Sequence, residues 1–171
     1  MPGSRRLVLY GDPRLRVVCR PVAPGEPGLA ALVDAMLAVM RCHGGVGLAA
    51  PQVGEPLRVV VADPEGGRPR VLINPEVVAT GDRRGAFTEG CLSFPGVYRP
   101  VVRPLAAEFR YLTPAGRRRR LADDGLLARI LLHEIDHLDG RLLVDHLPWW
   151  RRWDIPWRRL VWQRRRRRGE E

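Results

Sequence analysis

The stretch from Asp123 to Gly140 constrains this chain more than any other. Asp123 or Asp124 can cap a helix, and Leu126, Leu127, Ile130, Leu131, Ile135 and Leu138 make that helix apolar around much of its circumference before Gly140 ends it. Such a helix belongs at the centre of a core. It nevertheless carries His133, Glu134, Asp136 and His137, and buried polar groups need partners. His133 and His137 stand a little over one turn apart, so their imidazoles leave from nearly the same face and can converge on one ion. Glu134 lies beside them, in reach of a water molecule that a divalent metal would acidify toward neutrality. The pattern points to metal-dependent hydrolysis; two core histidines with ordinary hydrogen bonds are the plainer alternative.

A helix at the centre needs other elements around it. Leu29, Leu32, Val33, Met36, Val39 and Met40 recur at three and four, an amphipathic helix that Gly44 and Gly45 stop. Leu57 to Ala62 and Arg70 to Ile73 read as strands around a turn near Glu65 to Gly67. Ala107, Phe109 and Tyr111 alternate with Glu108 and Arg110, and Pro114 to Gly116 turn the chain into Arg117 to Leu121, a hairpin. Asp12 and Pro13 start a short helix. At 171 residues, 45% hydrophobic and 28% charged, the chain fits one folded domain. Cys19, Cys42 and Cys91 are odd in number and scattered, which argues against a disulfide framework and suits a reducing cytoplasm. Met1 to Tyr10 is too short for a signal or membrane segment, so no stable membrane insertion is expected. The net charge of +10, carried entirely by arginine on the basic side, favours polyanionic surroundings without choosing among ribosome, nucleic acid and anionic membrane.

Catalysis needs a third protein ligand and an open position. A third histidine six residues after His137 would complete one known pattern, but Leu143 stands there, and His146 comes three residues later and reads as a loop histidine or a partner of the site. Cys91 is the better candidate, within Glu89, Gly90, Cys91, Leu92 and Ser93, where a glycine lets the backbone approach and a thiolate can bind zinc or iron. Taken alone, Cys91 could equally be a small buried hydrophobe.

Three segments together carry a resemblance. Gly45 to Gln52 (GVGLAAPQ) resembles the first signature of the peptide deformylase family, Glu89 to Ser93 (EGCLS) its second, and His133 to Gly140 (HEIDHLDG) its third, in the family's order. The likeness runs from about residue 12 to residue 147, which gives a catalytic domain over 1–147 and an extension over 148–171. It implies a single-domain α+β fold with antiparallel strands surrounding the central helix that bears the histidines. It implies one divalent metal ion held by Cys91, His133 and His137, with Fe(II) native and Zn(II) or Ni(II) able to replace it. The implied activity removes the formyl group from N-terminal formyl-methionine of newly synthesised proteins. Glu134 then serves as base and acid, and the Gln52 side-chain amide with the Leu92 N–H stabilises the oxyanion.

Gly45 and Gly47 permit a peptide to pair along Gly45, Val46 and Gly47 as an added strand, and Val46, Phe87, Leu126 and Ile130 are either walls of the methionine pocket or plain core. Three positions depart from the family: Leu132 where a glutamine is usual, Tyr98 in place of an arginine, and Arg129 at a commonly apolar place. The tail sets Trp149, Trp150, Trp153, Trp157 and Trp162 among arginines, with Arg164 to Arg168 in a run; Pro148 can open a C-terminal helix and Pro156 kink it, with Asp154 a possible cap. It reads as a tryptophan face packed on the domain, as a dock for the ribosome, or as an attachment to anionic membrane. Arg117 to Arg120 similarly read as edge-strand protection or as a nucleic-acid contact. The rival functions are a zinc peptidase built on the same helix and a non-catalytic ribosome-binding protein with a structural metal; neither uses both Gln52 and Glu134.

Overall fold

The structure, a computed structural model, describes residues 6–152 and Ile155. Along the chain these form α1 (Leu29–Cys42), β1 (Gly47–Ala49), β2 (Val59–Ala62), β3 (Arg70–Thr80), β4 (Arg84–Gly90), β5 (Tyr98–Pro104), β6 (Ala107–Leu112), β7 (Arg118–Asp123) and α2 (Leu126–Leu138). β1, β2, β3, β6 and β7 make a five-stranded sheet in the order β1-β2-β3-β6-β7, while β4 and β5 make a separate two-stranded one. All pairings between strands are antiparallel. The fold is α+β.

The all-apolar run Val59–Ala62 needs covering on both faces, since strand side chains alternate. Val60 and Ala62 pack with Leu127, Leu131, Ile135 and Leu138 of α2, and Val59 and Val61 pack with Leu32, Met36 and Met40 of α1. The sheet is thus held between the two helices. A third cluster joins Val101 of β5 to Phe94, Val97, Leu142, Leu143 and Leu147.

Both helices lie within the expected bounds. Asp123, not Asp124, holds the start of α2, its Oδ1 accepting from the backbone N–H groups of Gly125 (2.9 Å) and Ala128 (2.8 Å). The short element at Pro13–Arg16 is a 3₁₀ turn whose first free N–H, on Arg14, bonds to Asp12 Oδ1.

The strands differ more. The one expected from Leu57 begins at Val59, and the one expected to stop at Ile73 runs on to Thr80. Asn74 and Pro75 look like punctuation, and Pro75 has no N–H for a ladder. The strand passes them through a bulge, with Asn74 at φ 50° and its amide exchanging hydrogen bonds with the backbone of Val22 (2.8 and 3.0 Å). The expected hairpin is β6–β7, and β7 is an edge strand, the place that suits the protective reading of its arginines. Beyond Pro148 the described chain makes one 3₁₀ turn, Trp149–Arg151, with both tryptophans exposed and their rings edge to face at 5.7 Å. Trp153, Asp154, Pro156, Trp157, Trp162 and Arg164 to Arg168, and with them most of the expected C-terminal helix, lie outside the described residues.

Candidate active site

α2 brings His133 and His137 side by side, ring centroids 5.2 Å apart. Cys91 follows directly on the end of β4 and meets the face of the helix that carries the two imidazoles. Its Sγ lies 3.2 Å from His137 Nε2, and the three ligand-type atoms of Cys91, His133 and His137 all fall within 4.8 Å of one another. Two nitrogens and one sulfur at that spacing could hold a divalent metal and leave a position open.

Gln52 reaches the same point from the 3₁₀ turn Ala50–Val53 that follows β1. It is 1% exposed, not the surface glutamine its type suggests. Its Oε1 accepts from Ala49 N (2.8 Å), which orients the amide, and its Nε2 donates to Ser93 Oγ (3.1 Å) and points at Cys91 Sγ (3.5 Å). Glu134 lies against β1: a Cβ on Gly47 would come within 2.6 Å of both Glu134 Oε1 and Ile130 Cγ2. Gly47 therefore makes room for the protein's own carboxylate. Glu134 Oε2 is buried and has no hydrogen-bond donor among the described residues.

Burial raises the Glu134 carboxyl to about 7, the nearby cations only partly opposing it. The histidines move in opposite directions. Burial, with the neighbouring His133, lowers His137 well below its usual value. For His133 the effect of burial is outweighed by hydrogen bonds to Cys91 and Glu89 and by the charges around it, so its affinity for a proton rises. The anions that hold a proton there would hold a metal cation equally well, which is the electrostatic fit expected of a metal site.

A cleft of about 1050 Å³ opens in front of these groups, lined among others by Gly45, Val46, Gly47, Leu92, Leu126 and Ile130. Comparison with known proteins agrees with the geometry. The model of the polypeptide deformylase family matches residues 4–153. A peptide deformylase of Alkalilimnicola ehrlichii is 50% identical over 146 residues, covering 82% of this chain and 80% of the relative. That of Treponema pallidum (strain Nichols) is 44% identical over 141 residues, 82% and 86%. The crystal structure of a Legionella pneumophila peptide deformylase superposes with a TM-score of 0.92 at 36% identity, over 97% of this chain and 99% of that one. The chain belongs to the polypeptide deformylase family.

Peptide deformylases are hydrolases, so the enzyme reading stands above both the zinc-peptidase reading and the non-catalytic one. Of the residues expected to form the deformylase cleft, Phe87 does not line it. The ring is half exposed on β4, beneath the Arg129 guanidinium at 4.2 Å. Tyr98, noted only as a departure, does line the cleft, its ring lying on Gly90, where a Cβ would come within 2.6 Å of it.

A polar network not apparent from the sequence lies behind the histidines. Glu89 accepts from Arg103, Arg129 and His133, and Arg103 continues to Asp136, which also bonds to His146 (2.7 Å). Burial pushes the Glu89 carboxyl up, but the hydrogen bonds from His133 and Arg103, with the charges behind them, outweigh it and hold it at about 2. Glu89 two residues before the cysteine, Arg129 and Asp136 on the helix are visible in the sequence, but nothing there links them to Arg103, one of two arginines in a proline-bearing strand. His146 is thus a partner of a partner and no metal ligand.

Proposed function

We propose that Cys91, His133 and His137 hold one divalent metal ion, and that Glu134, Gln52 and the backbone N–H of Leu92 carry the hydrolysis of the N-formyl group from formyl-methionyl peptides. The observation that carries this reading is the convergence of the three ligand-type atoms within 4.8 Å beside a buried carboxylate. When bound, the metal supplies Lewis acidity, polarising the formyl carbonyl and lowering the pKa of water.

The chain's own residues do the rest. Glu134 takes a proton from water as the water oxygen attacks the formyl carbon, and hands it to the amine nitrogen as the C–N bond breaks. Formate and a free amino terminus leave. A carboxyl near 7 suits both roles at neutral pH. Gln52, its Oε1 tied to Ala49, presents Nε2 without reorganisation to the oxygen that gains negative charge, and the Leu92 N–H is the second donor. The methionine side chain enters among Val46, Leu126 and Ile130, and the peptide backbone runs along Gly45 to Gly47 as an added strand.

Fe(II) is the native ion in this reading, with Zn(II) or Ni(II) as substitutes, since a thiolate with two imidazoles accepts all three. Residues 1–147 are the catalytic domain, and the Trp/Arg-rich stretch 148–171 docks on the ribosome, where formylated nascent chains emerge; the working compartment is the cytoplasm. The charge of the tail and the exposure of Trp149 and Trp150 support the docking. Among the described residues no helix is long and apolar enough to cross a membrane.

The test is formate release from formyl-Met-Ala-Ser by protein purified without oxygen and loaded with Fe(II) or Ni(II). Wild type releases formate, whereas Glu134→Ala and Cys91→Ser fall by at least about 100-fold, the scale of general-base catalysis. A metal-loaded wild type that releases none would overturn the reading.

A further inference from the structure

Two arginines and a histidine converge on one buried carboxylate. Glu89, on β4, accepts from Arg103 Nε (2.7 Å) and Nη2 (3.1 Å), from Arg129 Nη1 (2.7 Å) and from His133 Nδ1 (3.0 Å). Arg129 and His133 are one turn apart on α2, so both reach Glu89 from the same side of the helix. Arg103 also bonds to Asp136 (2.7 Å), so two guanidinium groups face two carboxylates. A cluster of this kind is tolerable in the interior only when each charge is answered.

Arg129 does more than answer a charge. Its Nη2 donates to the Gly85 carbonyl on β4 (3.1 Å), its Nη1 also to the Val101 carbonyl on β5 (3.3 Å), and its guanidinium stacks on Phe87. One side chain of α2 therefore grips both strands of the hairpin. That matters because β4–β5 shares no ladder with the five-stranded sheet, and Cys91 leaves directly from the end of β4. The separation of Cys91 from His133 and His137 depends on how the hairpin sits on α2. Leu132, the residue next to His133, is packed in the apolar core and has no side-chain donor to offer Glu89.

We propose that Arg129 is a positioning residue for the metal centre: by bridging Glu89 and both hairpin strands, it holds the Cys91 sulfur in register with His133 and His137 and fixes the orientation of the His133 ring. This rests on the reading of Cys91, His133 and His137 as metal ligands. The effect reaches the reaction through the ligands, and a lysine cannot replace it, because an ammonium lacks the planar fork that serves Glu89 and two carbonyls together.

The experiment uses full-length protein loaded with Co(II), comparing wild type with Arg129→Leu and Arg129→Lys. It follows the thiolate-to-Co(II) absorption band, the rate of Co(II) loss to a chelator, and kcat and KM for formyl-Met-Ala-Ser. Arg129→Leu should lose Co(II) about 10- to 100-fold faster with an altered band, the scale seen when a ligand's supporting partner is removed. Its kcat should fall while KM changes little, and Arg129→Lys should lie between. If Arg129→Leu does not fold, Arg129→Lys carries the test, and a wild-type band with a wild-type loss rate in it overturns the proposal. A normal band and loss rate in Arg129→Leu, with only KM raised, would make Arg129 a wall of the cleft and overturn it as well. Absence of a thiolate band in wild type would instead bring down the ligand assignment, and this inference with it.

Discussion

The two sides of α2 are built on different physics. Toward the five-stranded sheet, Leu127, Leu131, Ile135 and Leu138 meet Ala49, Val60, Leu72 and Phe109 in a wholly apolar cluster, with Glu134 at its β1 edge. Toward the β4–β5 hairpin, Glu89, Arg103, Arg129 and Asp136 form a buried ionic lattice. Apolar contact is non-directional, and it stabilises in proportion to area. Charge-assisted hydrogen bonds carry direction and distance, and they fail badly when one partner is missing. The first side supplies stability to the helix; the second sets the geometry between a cysteine on a hairpin and two histidines on a helix.

The contrast can be broken most sharply at Arg103. Arg103→Met leaves Asp136 without its guanidinium and Glu89 with Arg129 and His133 alone, both carboxylates still largely buried, and should cost about 3–5 kcal/mol in urea unfolding. Metal retention should fall with it. On the other side, Leu131→Ala removes a fully buried side chain and should cost about 2–5 kcal/mol, yet leave the spectrum of bound Co(II) unchanged. If Leu131→Ala disturbs the metal as much as Arg103→Met does, the division of labour is wrong.

A smaller effect is expected at Gly47, the first residue of β1, which lies against the Glu134 carboxylate. The added Cβ of Gly47→Ala would crowd Glu134 Oε1 and Ile130, a strain of about 1–3 kcal/mol that should appear as lower kcat, with metal content unchanged by elemental analysis. The least perturbing probe is alkylation. Cys19 lies in the apolar cluster, where burial pushes its thiol to about 11, so near pH 8 roughly one molecule in a thousand is thiolate there. Cys42 is exposed. Mass spectrometry after iodoacetamide should find Cys42 modified and Cys19 intact; modification of both at equal rates would mean that the apolar side opens.

How much of this was legible follows the same division. α1, α2 and β6 announce themselves through apolar periodicity and β2 through an unbroken apolar run, because each packs into the main core. β4 and β5 do not: most of their residues are exposed, β5 holds Pro100 and Pro104, and its inward positions pair an apolar Val101 with a charged Arg103, so hydropathy does not alternate. β3 was cut short at Asn74 and Pro75 because a bulge is a tertiary solution to a local break. At the site, the spacing of His133 and His137 speaks for itself, Cys91 stands out through its thiolate and the glycine beside it, and Gln52 owes its role to the resemblance of its segment to a family. Phe87 was assigned to the cleft on its apolar character, and the guanidinium of Arg129 lies over its ring.

By itself, the sequence determined the elements that obey local rules: a capped apolar helix, two imidazoles on one face of it, and an all-apolar strand that had to be covered on both sides. The tertiary structure decided where Cys91 meets the histidines and which groups brace them. Glu89 finds Arg103 at 14 residues and Arg129 at 40, and Arg103 finds Asp136 at 33. Periodicity reports only which face of an element is apolar; a pairing of charges across such separations depends on the packing of elements that the periodicity itself does not describe.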